Sequence, residues 1–168
     1  MRALKNGLDT VLKVASVILF ALLVLIVVWQ VFTRQVTQNP ATWTEEAARY
    51  TFVWLGFFAA ALVFSERGHI AVDALVRLLP EPVQRGIAVL VQIAIIAFAA
   101  ITMVWGGWRA AQGAMNQSLT ALPLTVGQMY LVVPVTGVLV VVYALYHVVA
   151  VIRRQEEAVE INENPDVV

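Results

Sequence analysis

The chain contains no cysteine. That removes disulfide frameworks, thiolate metal sites and cysteine nucleophiles together, and it leaves the redox compartment undetermined. Charge is scarce as well: Asp, Glu, Lys and Arg make up 13% of the 168 residues, against about 25% in soluble domains. Hydrophobic residues reach 61%, well above the roughly 45–50% of a soluble domain, so this is a membrane protein. Eleven basic residues cancel eleven acidic ones. The clustered basic excess that a nucleic-acid partner would require is therefore missing.

Charge-free windows mark the spans, because a charge at a helix centre costs about 2.5–3.5 kcal/mol on insertion scales. The first window, 14–33, lies between Lys13 and Arg34. A second, extended back from Tyr50 to Trp43, covers 43–65, about 34 Å of helix at ~1.5 Å per residue and enough for a ~30 Å core. The third, 86–108, sits between Arg85 and Arg109. Beyond Arg109, Gln112, Asn116, Gln117, Ser118 and Thr120 mark a polar loop, leaving 126–152 as the fourth span. The apolar run after Arg2, Lys5 and Lys13 is too long for a signal-peptide core and has no A-x-A-like site after it, which predicts an uncleaved first helix. The expected fold is an all-α membrane protein of four transmembrane helices forming one domain, 1–154.

With four spans, both termini and the middle connection share one side. That side carries Arg2, Lys5, Lys13, Arg67, Arg77, Arg85, Arg153 and Arg154, whereas the other has Arg34, Arg49 and Arg109. The positive-inside rule then places both termini in the cytoplasm. Trp29, Trp43, Trp105, Trp108 and Tyr130 gather at the opposite interface, as an aromatic belt does.

The connection between spans two and three is more than a loop. After Gly68, placed to end the second helix, His69, Asp73 and Arg77 recur every four residues with apolar residues on the remaining faces until Pro80. This predicts a short amphipathic helix over 69–79, too short to span and suited to the membrane interface or a partner. The tail 155–168, with Glu156, Glu157, Glu160, Glu163 and Asp166, has the composition of a disordered segment.

Glu45, Glu46 and Arg49 stand just before the second charge-free run. Thr42-Trp43-Thr44-Glu45 fits a capping box, and Arg49 lies one turn beyond Glu45 in the favourable order. Helix capping therefore accounts for all three charges, with docking of a partner outside the membrane as a second role. Catalysis is set aside, because no nucleophile, metal ligand or further acid accompanies them. His147, beside Tyr143 and Tyr146, reads as part of the interfacial belt, and two histidines so placed do not supply the facing pair a membrane haem needs. No cofactor is expected.

Pumps and ion-coupled carriers place ionisable groups inside the membrane to bind ion or substrate, whereas residues 14–33, 50–65, 86–108 and 126–152 contain no Asp, Glu, Lys or Arg. Small residues are plentiful instead: Gly56 with Ala60, the line Ala94, Ala97 and Ala100, and Gly107 with Ala111. Such pairs let helices approach closely, within the chain or against another. Trp54, Phe57 and Phe58 add bulky knobs at mid-depth. The pattern is that of a packing module.

The run Trp43, Glu45, Glu46, Ala48, Arg49, Tyr50, Phe52, Val53, Trp54, continued by Arg67, Gly68, His69, Ile70, Val72, Asp73, Leu75 and Leu79-Pro80, resembles the small permease subunit of tripartite ATP-independent periplasmic (TRAP) transporters, the DctQ-like family. A weaker likeness runs from Ser118 through Ala121-Leu122-Pro123 to Tyr130, Pro134 and Gly137, with Val126 where an aromatic residue is common. The resemblance implies a bacterial inner-membrane subunit that is not an enzyme. It would brace a large permease subunit that imports an organic acid or similar solute with sodium, while a soluble periplasmic protein delivers that solute. Thr42, Trp43, Glu45, Glu46, Arg49, Trp54, His69, Asp73 and Arg77 are the candidate capping or partner-contact residues. The chief rival is a membrane-anchor subunit of a respiratory or other enzyme complex, which would need the haem or quinone ligands that the histidine placement does not provide.

Overall fold

The computed structural model describes residues 2–39, 41–65 and 80–152. Helix α1 runs over Arg2–Gln35 and α2 over Trp43–Ser65; α3 covers Glu81–Phe98 and passes through a π-helical stretch, Ala99–Gly106, into α4, Gly107–Ala114. Helix α5 is a single short turn, Val126–Tyr130, and α6 spans Val132–Ile152. The expected interfacial helix over 69–79, with His69, Asp73 and Arg77, and the tail 155–168 lie outside the described residues.

Four helical segments are long and apolar enough to cross a membrane, as the charge-free windows predict: Lys5–Gln35, Trp43–Ser65, Val83–Ala114 and Val126–Val151. Two of them overrun their windows. A charge-free window marks only the part that hydrocarbon must cover, whereas a helix continues into the interface wherever its residues favour it. Thus α1 begins at Arg2 rather than near 14, and the third segment continues to Ala114. Its 32 residues would reach about 45 Å, beyond a ~30 Å hydrocarbon core. The fourth span is interrupted at Leu131. Pro134 has no N–H to offer the carbonyl of Tyr130, and Leu131 N–H instead bonds three residues back, to Gln128 at 3.3 Å.

Helix α6 is the centre of the bundle: 44% of its most apolar window is buried, against 6% for Val83–Ala114. It packs on α2 at one side and on α3 with the π-helical stretch at the other, and α1 packs on α2 at the edge. Leu12 of α1, Ala61 of α2 and Tyr143 of α6 form a buried cluster, flanked by Leu8, Phe58, Leu62 and Leu139. Trp54 meets the Phe58 ring one turn along the same helix edge-on at 5.7 Å, so Phe58 packs both on Trp54 and against the buried cluster.

The small residues divide by what they touch. A Cβ on Gly137 would lie 2.7 Å from Met103 Cβ, and one on Gly107 would lie 2.8 Å from Val133 Cγ1. These glycines bring α6 against the π-helical stretch and α4, and Ala111 is fully buried with its backbone against Gly127 of α5. Gly56, Ala60, Ala94, Ala97 and Ala100 are exposed, and nothing lies within 4 Å of a Cβ built on Gly56. Their close-approach surfaces face outward from the chain.

Candidate functional site: a loop held on Glu46

Helix α2 opens with Thr44, whose buried side chain donates 2.6 Å to the carbonyl of Ala41. The box expected from Thr42 and Glu45 does not form. Thr42 is exposed, and Glu45 Oε1 accepts from Arg49 Nη2 at 3.2 Å, making an exposed ion pair one turn apart. The capping box of this end lies elsewhere, at the start of α5. There Thr125 Oγ1 accepts from Gln128 N–H at 3.3 Å, and Gln128 Oε1 accepts from Thr125 N–H at 3.0 Å.

Between α4 and α5 the chain turns back on itself. Ser118 and Thr125 form an isolated antiparallel bridge, Leu119 N–H donates to Leu124 at 2.9 Å, and Val126 N–H donates to Gln117 at 2.8 Å. This closes residues 118–125 into a tight loop whose tip carries Thr120 and Ala121. Their two N–H groups point away from the loop's own bonds. Both end on one carboxylate: Thr120 N–H donates 3.0 Å to Glu46 Oε1, and Ala121 N–H donates 2.9 Å to Glu46 Oε2. Successive backbone N–H groups form an anion-binding concavity, and bonds to an ionised acceptor are roughly twice as strong as neutral ones. Glu46 therefore fastens the loop to the first turn of α2. It is not the free rim charge that a docking role requires, whereas Glu45 and Arg49 remain at the surface. Trp43 is exposed beside them and Trp54 is half-buried below.

The opposite end holds a second polar knot, which sequence inspection missed. Asp9 sits before Lys13, outside the first charge-free window, yet α1 carries it into the bundle, where its Oδ1 accepts from Ser65 Oγ at 2.6 Å. His147 is 2% exposed, with Nε2 3.1 Å from the Ser65 carbonyl. It is thus a buried link between α6 and the end of α2 rather than a member of an interfacial belt.

What the fold defines is a four-span membrane protein in which two polar links stand out among the described residues, one at each end, the first tying a loop and the second tying three helices. The model of the DctQ component of tripartite ATP-independent periplasmic transporters matches residues 23–154. The chain belongs to that family. It is a small permease subunit, a multi-pass protein of the inner membrane and not an enzyme, and it works with a large permease subunit and a substrate-binding protein. The rival reading as an enzyme's membrane anchor is thereby set aside. The chain is 29% identical over 140 residues to a putative TRAP transporter small permease protein of Haemophilus influenzae, covering 83% of this chain and 86% of the relative. It is 25% identical over 141 residues to the sialic acid TRAP transporter small permease protein of Vibrio cholerae, covering 84% and 81%. It is also 30% identical over 115 residues to the isethionate TRAP transporter permease protein of Oleidesulfovibrio alaskensis, covering 67% of this chain and 18% of that longer one. Glu46, near the start of the first run that carries the family likeness, bonds Thr120 and Ala121, near the start of the second.

Proposed function

We propose that this subunit braces the large permease while the latter imports an organic acid with sodium, and that it carries no solute itself. The observation behind this reading is the emptiness of the membrane interior: residues 14–33, 50–65, 86–108 and 126–152 contain no Asp, Glu, Lys or Arg, and such groups are what bind ions and charged substrates there. The acid character of the solute rests on relatives whose names specify sialic acid and isethionate. The large permease would cover the outward small-residue face of Gly56 and Ala60, while Thr42, Trp43, Glu45 and Arg49 would meet the binding protein. His69, Asp73 and Arg77 would line the polar stripe of the segment between α2 and α3.

Proteoliposomes bearing this chain alone should show no sodium-driven uptake, and adding the large permease and the binding protein should restore it. Uptake by the isolated chain would overturn the bracing role. The basic asymmetry of the sequence also supports placing both termini in the cytoplasm. With no native cysteine to interfere, Asn39→Cys should react with an impermeant thiol reagent on intact cells and Asn6→Cys only after permeabilisation. The reverse pattern would invert the topology.

A further inference from the structure

Between the first turns of α1 and the last turns of α6 lies a groove of about 170 Å³. Leu8, Val142, Leu145 and Val149 give it apolar walls, and Tyr146 and Lys5 stand at its rim. Among the described residues that line it only Lys5 carries a charge, and the Lys5 ammonium lies 5.6 Å from the centre of the Tyr146 ring. Asp9, one turn along α1, does not itself line the groove, and its carboxylate takes the Ser65 hydroxyl of α2. The groove opens on the bundle's side at the end where α1 passes from its charged first turns into its apolar run. This is the depth at which lipid headgroups meet acyl chains.

We propose that this groove is a binding site for an anionic phospholipid, with the phosphate on Lys5 and a stretch of acyl chain between α1 and α6. An apolar groove at this depth is filled by hydrocarbon, and the cation at its mouth selects among headgroups. A headgroup of net negative charge gains the attraction of Lys5 undiminished, whereas the ammonium of a zwitterionic one offsets it. A single lysine near an anionic lipid surface corresponds to about a fivefold preference. A helix of the large permease is the competing occupant, but a lysine at the rim with a tyrosine beside it suits a phosphate better than an apolar helix face. The proposal holds for whichever leaflet the N-terminus faces, and it is independent of the bracing role.

The test uses the complex of this chain with the large permease, delipidated and then titrated with phosphatidylglycerol or phosphatidylcholine, with bound lipid counted by native mass spectrometry. The wild type should retain phosphatidylglycerol about fivefold better than phosphatidylcholine. Lys5→Gln should bring the two to parity, and Val149→Trp, which fills the groove, should lower retention of both. Because Lys5 is partly exposed and stands at the groove's rim, its replacement keeps the fold, and the result does not hinge on the bulkier variant. A photo-crosslinking residue at Leu145 should capture lipid. Equal retention of the two lipids by the wild type, a preference that survives Lys5→Gln, or crosslinking at 145 to the large permease alone would each overturn the site.

Discussion

Replacing Glu46 with Gln should release the loop between α4 and α5 while leaving the four spans assembled. The amide oxygen of Gln keeps one acceptor of similar shape but loses the charge and the second acceptor that lets Oε1 and Oε2 each take an N–H. Bonds to a charged acceptor are the strong ones, and exposed loops open locally at low free energy. Hydrogen exchange at the Thr120 and Ala121 amides should therefore accelerate by about tenfold or more. The Leu119 and Val126 amides, bonded within the loop, should change less. Glu46→Lys should go further, because it presents a cation to two N–H donors, and uptake by the assembled transporter should fall with it. Added salt separates this from a docking effect. A rim charge acts on association and its influence fades with ionic strength, whereas a lost intramolecular fastening is not recovered at any salt concentration. Unchanged exchange at Thr120 and Ala121 in Glu46→Gln would remove the fastening role.

The four spans were legible because membrane insertion leaves a coarse signature, long stretches that cannot hold charge. The family likeness was legible because it resides in local runs. The joining of those runs was not. Glu46 and Thr120 are 74 positions apart, and the receiving groups are backbone N–H donors that any residue but proline supplies, so no side-chain pattern at 120–121 announces an anion site. Asp9 was obscured for a related reason. Lying between Lys5 and Lys13, it looks like part of a solvated flank, and only the antiparallel packing of α1 on α2 brings it to Ser65. The small residues show the same limit: spacing marks which faces permit close approach, but only the three-dimensional arrangement assigns Gly107 and Gly137 to this chain's own seams and leaves Gly56 outward.

Gly127→Ala should be the most destabilising of the substitutions at the described glycines. Gly127 lies in α5, with its Cα against the end of α4, and an added Cβ would meet the Ala111 carbonyl oxygen and come within 2.6 Å of Met115 N and 2.7 Å of Met115 Cα. All three are backbone atoms, so no side chain can rotate aside and the two helices must separate. Overpacking commonly costs about 1–3 kcal/mol and occasionally more; with the obstruction in the backbone, about 3 kcal/mol or above is expected here. The strain would pass directly to Thr125 and Gln128, whose capping box starts α5, and so to the loop that Glu46 holds. Gly137→Ala should come next in severity, since its contacts combine Met103 Cβ with Val104 N. Gly107→Ala meets only side-chain atoms of Val133 and Pro134 and should cost less. Gly113→Ala, with nothing within 4 Å, should be neutral or stabilising by up to about 1 kcal/mol through helix propensity. Thermal unfolding of the four variants in one detergent should therefore rank Gly127 below Gly137, then Gly107, then Gly113. If Gly127→Ala melted with the wild type, α4 and α5 could not be as close as the backbone contacts at Ala111 and Met115 require.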